Sequence, residues 1–101
     1  SEFMSIQPKF GEYESAELDE VCEFRAEITS FPTASVTWFK DSVPLSNVTA
    51  EISTSLQKLS ETSYMSVLTL IRAKEEDSGN YTMRVKNGDQ SRTVSLILEV
   101  K

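Results

Sequence analysis

The chain contains no histidine, one cysteine, and only three glycines and three prolines in 101 residues. The missing histidine removes the usual general base, the commonest zinc ligand and the side chain that changes charge near neutral pH. Scarce glycine and proline, with no low-complexity stretch, leave no linker, so residues 1–101 read as a single domain without internal repeats. Basic residues are outnumbered 10 to 16 by acidic ones, for a net charge of -6. That balance argues against nucleic acid, whose phosphates demand clustered Lys and Arg. No apolar run approaches the roughly 20 residues that cross a bilayer. No secretory signal opens the chain, which reads as a piece cut from something longer. Ser1-Glu2-Phe3 reads as a cloning remnant, and no fold inference is drawn from it.

What is present is a period of two. Cys22, Phe24, Ala26 and Ile28 alternate with Val21, Glu23, Arg25 and Glu27, giving one mostly apolar face and one charged face. After a turn at Phe31-Pro32, Val36 and Trp38 share a face while Thr37 and Phe39 share the other. Leu68 and Leu70, then Tyr81, Met83 and Val85, then Val94, Leu96, Leu98 and Val100 continue the inward parity. Asn87-Gly88 marks a hairpin turn. Pro8 in the first strand suits an edge, where no ladder donor is lost. Ala73 to Asp77 has helical propensity for at most one short turn.

Asp77-Ser78-Gly79-Asn80-Tyr81-Thr82-Met83 resembles the strand of an immunoglobulin domain that carries the second core cysteine, with Met83 in that cysteine's place. Counting back from Trp38-Phe39-Lys40, which resembles the strand with the core tryptophan, the first cysteine's place holds Ala26. The expected fold is all-β: a two-sheet antiparallel Greek-key sandwich, I-set-like, lacking the core disulfide, with Ala26, Trp38, Leu70, Tyr81 and Met83 in the core. Tyr81 is placed to tie its strand back to the preceding crossover. A bridge between positions 26 and 83 would close a loop of about 57 residues, a constraint of roughly 4 kcal/mol in the chain-entropy estimate, so packing must offset its absence. Met83, unbranched and adaptable, over the small Ala26 is such a packing.

Two settings accommodate the missing bridge: a reducing compartment, as for muscle-type immunoglobulin domains, or an extracellular family that has dropped it. Asn47-Val48-Thr49 and Asn80-Tyr81-Thr82 fit the glycosylation acceptor pattern and favour the outside. Cys22 reads as a small buried hydrophobe.

Leu70-Ile71-Arg72-Ala73-Lys74-Glu75-Glu76-Asp77-Ser78-Gly79 carries a closer resemblance, supported by Leu18-Asp19-Glu20-Val21 and Ser60-Glu61-Thr62-Ser63-Tyr64. Over nearly the whole chain the sequence resembles the fourth extracellular immunoglobulin-like domain of the platelet-derived growth factor receptors, class III receptor tyrosine kinases, the alpha type most closely. The resemblance implies a membrane-proximal extracellular domain of a single-pass plasma-membrane receptor, not itself catalytic, needing no cofactor or metal. Its partners would be a second copy of the same receptor domain and, through neighbouring domains, a growth factor; the membrane is met only through the parent receptor. Within that family the Leu-x-Arg-apolar-x-x-x-acid-x-Gly pattern marks a homotypic contact, which implies interface roles for Arg72 and Asp77. Both are then expected on an open surface.

Other readings stand beside these. Asp77 pairs within its own chain in many immunoglobulin domains, and Lys58 is a candidate partner. Glu75 and Glu76 read as solvated charges, Lys74 as a rim contributor, and Phe39 as covered by a neighbouring strand. Glu12, Glu14, Glu17, Asp19, Glu20 and Glu23 lack the glycine-bearing loop of a calcium site and read as a solvated edge. The alternative function is that of an intracellular muscle-type immunoglobulin domain serving as a mechanical or docking module.

Overall fold

The computed structural model describes residues 2–45 and 51–101, and the alternation seen in the sequence becomes nine strands. They are β1 (Phe3–Pro8), β2 (Tyr13–Ala16), β3 (Cys22–Phe31), β4 (Ser35–Lys40), β5 (Val43–Pro44), β6 (Ile52–Lys58), β7 (Ser63–Leu70), β8 (Gly79–Asn87) and β9 (Gln90–Val100). A single 3₁₀ turn, Glu75–Asp77, lies between β7 and β8. One sheet runs β1-β3-β7-β6 and the other β2-β9-β8-β4-β5. This is the expected Greek-key sandwich.

Successive side chains on a strand point to opposite faces, so each sheet offers one apolar row to the other. From one sheet come Phe24, Ala26, Ile28, Leu68 and Leu70; from the other come Trp38, Tyr81, Met83, Val85, Leu96 and Leu98. All are buried. Fully burying one such large side chain is worth about 1.5–3 kcal/mol, which makes this double row the main source of stability.

Three details correct the sequence reading. The pairing is not wholly antiparallel, because β2 runs parallel to β9, with Tyr13 opposite Ile97 and Ala16 opposite Val100. The chain leaves the first sheet at Pro8, which stands opposite Ala26 on the edge strand, and joins the second at Tyr13. Phe3 belongs to the fold despite its place in the terminal Ser1-Glu2-Phe3 segment: it opens β1 and stacks on Phe31 with ring centroids 6.3 Å apart. The last hairpin turns on Gly88-Asp89 instead of Asn87-Gly88: Asn87 pairs with Gln90 across the ladder, and Gly88 takes the positive φ of 56° that its lack of a Cβ permits. Asn87 itself is fully buried.

Candidate functional site

The place of the missing disulfide is filled from both sheets. Ala26 stands opposite Ser66 in the β3–β7 ladder, and Trp38 stands opposite Met83 in the β4–β8 ladder. Between the sheets the Trp38 indole donates its Nε1–H to Ser66 Oγ at 2.9 Å. A buried indole N–H without a partner is costly. Ser66 therefore supplies a neutral hydrogen bond joining the sheets where a covalent bond would otherwise stand. Sequence reasoning missed Ser66. The signal available was its inward parity with Leu68 and Leu70.

Below this pin, the crossover into β8 is built from short-range bonds. Tyr81 donates its hydroxyl to the Asp77 carbonyl at 2.6 Å, the expected tie between strand and crossover. Burial, together with the nearby Asp77 charge, pushes the Tyr81 phenol well above its ordinary range, so it stays a donor. The Asp77 carboxylate accepts the Lys74 backbone N–H at 2.8 Å, holding the 3₁₀ turn closed. Ser78 Oγ accepts the Val100 backbone N–H at 3.0 Å and fastens the turn to β9.

The expectation that Arg72 and Asp77 share an open surface holds for one of them. Arg72 is exposed, with no hydrogen bond or ion pair to any described residue. Asp77 is only 8% exposed, because it must reach inward to the Lys74 N–H to form the turn. Its partner is that backbone amide; Lys58 pairs with Glu61 at 3.8 Å. The exposed acids of the turn are Glu75 and Glu76.

Two backbone bonds join this rim to the loop before β3: Asp19 N–H to the Ala73 carbonyl at 2.8 Å, and Ala73 N–H to the Glu20 carbonyl at 2.9 Å. Lys74 Nζ donates to Asp19 at 2.7 Å, and that bond, with lesser help from Arg72, holds the Asp19 carboxyl below the usual carboxylate range. The acidic series is thus partly engaged. Glu14 accepts the Gly11 N–H at 2.7 Å and Glu23 pairs with Arg25 at 2.7 Å. Among the described residues no group of acids, cysteine and histidine could hold a metal ion.

Asn80 is exposed at the start of β8, and its backbone N–H donates to Asp41 Oδ1 at 2.9 Å. That bond, with a second from Lys40, lowers the Asp41 pKa. Asn47 lies outside the described residues. Cys22 is half-buried and unpaired; desolvation, then the charges of Glu14 and Asp77, push its thiol upward and away from reactivity. Phe39 is covered by the Arg84 guanidinium, 4.9 Å from its ring centroid.

Comparison with known proteins gives this geometry a context. The model of the immunoglobulin I-set domain matches residues 8–100. The chain is 46% identical over 96 residues to the platelet-derived growth factor receptor alpha of Mus musculus, covering 95% of this chain and 9% of that receptor. With the alpha receptor of Homo sapiens it shares 40% identity over 100 residues, 97% of this chain and 9% of that receptor. The human beta receptor is 34% identical over 101 residues, with 99% and 9% covered. The chain therefore spans only about a tenth of the length of these relatives. Among solved structures, titin domain M7 superposes with a TM-score of 0.76 at 25% identity, covering 95% of this chain and 93% of that one. A chain in the complex of Dpr2 with DIP-Theta reaches a TM-score of 0.86 at 15% identity, covering 97% of this chain and 32% of that one, a likeness of fold alone.

Proposed function

The chain belongs to the immunoglobulin I-set family, a non-catalytic fold, and from that premise we propose that it is the fourth, membrane-proximal extracellular domain of a growth-factor receptor tyrosine kinase of the platelet-derived growth factor receptor type. Its role is to align two ligand-bound receptors through a weak homotypic contact, so that their kinase domains act in trans. The observation that carries this reading is Arg72: an exposed cation with no hydrogen bond or ion pair among the described residues, next to an exposed acidic turn.

Across a two-fold axis, Arg72 of each copy would meet the Glu75-Glu76-Asp77 turn of the other, giving two equivalent contacts from one patch. Asp77 contributes by shaping the turn, while Glu75 and Glu76 present the charge. Exposed ion pairs of this kind are worth about 0–1 kcal/mol each, too little to offset the association entropy of free domains. Such weakness serves a receptor. Once the growth factor has joined two chains, the high effective concentration makes the second contact form, and without ligand it does not.

The test uses the intact receptor. Arg72→Glu is expected to leave growth-factor affinity within twofold of the parent while lowering ligand-driven phosphorylation several-fold. Co-expression with a receptor carrying Glu75→Arg and Glu76→Arg should restore part of the signal through the re-paired charges. Absence of any rescue would remove the homotypic role and leave Arg72 as a solvated charge. The muscle-type reading has its specific support in the likeness to titin M7. It requires that neither acceptor asparagine ever carries sugar in the native protein.

A further inference from the structure

We propose that Tyr13 and Ile97 form a seat for the first two sugars of an N-linked glycan carried on Asn80. This rests on the extracellular reading above and adds to it a specific contact. Asn80, Ile97 and Tyr13 lie in one row across three adjacent strands: Asn80 is opposite Ile97 in the β8–β9 ladder, and Ile97 is opposite Tyr13 in the β2–β9 ladder. All three face water, Tyr13 at 75% exposure and Ile97 at 47%. With Glu12 and Ser95 they line a shallow groove of about 300 Å³.

A large apolar side chain on the water side of β9, Ile97, is out of place between Ser95 and Glu99, which are outward and polar, and so is the exposed Tyr13 ring beside it on β2. An occupant that arrives covalently at the rim accounts for them. Two strand spacings separate Asn80 from Tyr13, about 10 Å, within reach of an asparagine side chain extended by two pyranose rings. The root of that tether is fixed, because Asn80 N–H donates to Asp41 Oδ1 at 2.9 Å and Asp41 N–H donates to the Asn80 carbonyl at 2.8 Å.

The chemistry also matches. An N-acetylglucosamine ring has equatorial hydroxyls at its edge and C–H groups on its faces. Those weakly positive hydrogens suit the negative face of a tyrosine ring, and the N-acetyl methyl suits a branched aliphatic such as Ile97. The ring is neutral, so Glu12 at the groove's edge repels nothing and can accept from a sugar hydroxyl. An anionic partner would meet repulsion there.

The experiment is a double-mutant cycle on protein secreted from animal cells, with occupancy of Asn80 read by mass spectrometry of the glycopeptide. In the glycosylated protein Tyr13→Ala is expected to lower Tm by about 4 °C, and Tyr13→Phe, which keeps the ring, by less than about 1 °C. In the Asn80→Gln background Tyr13→Ala should cost less than about 1 °C. An occupied Asn80 with equal Tyr13→Ala shifts in both backgrounds overturns the seat and leaves the extracellular reading standing. An unoccupied Asn80 overturns the seat and the acceptor reading on which it rests. A dimer of the Asn80→Gln protein, abolished by Tyr13→Ala in sedimentation, would give the face to a second copy and overturn the seat as well.

Discussion

The two ends of β8 tie the sandwich together by opposite means. At the Asn87 end the two protons of the side-chain amide are shared among three acceptors, the Phe3 carbonyl at 3.1 Å, Ser30 Oγ at 2.9 Å and the Phe31 carbonyl at 3.1 Å, partners 84, 57 and 56 residues away. At the Tyr81 end the bonds span four residues to Asp77 and three from Asp77 to Lys74. The first knot is sealed. The second leaves Arg72, Glu75 and Glu76 in water. A knot made of distant segments admits little change, since each partner is fixed by another strand. The Tyr81–Asp77–Lys74 bonds lie within one crossover, and with the backbone bonds that anchor Ala73 to the loop before β3 they hold its shape without using Arg72, Glu75 or Glu76, which leaves those positions for a partner-facing surface.

The sharpest way to break this comparison is to cut the sealed knot. Asn87→Ala removes this shared donor, and with it a buried Oδ1 that has no hydrogen-bond partner among the described residues, so urea denaturation should show a net loss of about 2–3 kcal/mol. A loss below about 1 kcal/mol would mean that the amide is dispensable and the two ends are alike. Tyr81→Phe severs a single bond and strands only the Asp77 carbonyl, for an expected loss of about 1–2 kcal/mol. Should it exceed the cost of Asn87→Ala, the order of the two knots is reversed.

The smallest effect concerns charge. Asp19 and Asp41 both have pKa values lowered in the folded state, by Lys74 and by the Asn80 N–H respectively. Their contribution is therefore present above the ordinary carboxylate pKa of about 4 and is lost as pH falls through the lower folded values. Both carboxylates are solvent-exposed, so the effect is slight. Replacing Lys74 with Met should flatten the acid limb of the stability profile slightly, by removing the pull on Asp19; an unchanged limb would show that this rim is held by its backbone bonds alone.

The same contrast explains what is legible in the sequence. The core rows, the Pro8 edge, the single helical turn and the Tyr81 tie all follow from periodicity or from a motif within a few residues, and all are present. In the sequence Asn87 reads as a turn residue because Asn-Gly is a strong local hairpin signal, while its partners at Phe3, Ser30 and Phe31 are visible only once three strands are assembled. The pattern that puts Asp77 in the open says which residue type stands there without saying which way it faces. Its burial follows from the turn's need to satisfy the Lys74 N–H. Ser66, a serine between apolar neighbours, looks like a defect until the indole across the gap is seen to need it.

The hydrogen bond from Trp38 to Ser66 also decides how the domain yields when pulled. A disulfide at that level would keep the intervening chain looped, so that however hard the ends were drawn apart, the stretch between the two cysteines could not lengthen. Here the link across the sheets breaks with the rest of the fold. The segment of about 57 residues between Ala26 and Met83 is then free to straighten, adding roughly 190 Å at about 3.4 Å per residue. Mechanically this is an extensible tether, and in a single-molecule pulling trace its unfolding step should register the whole chain.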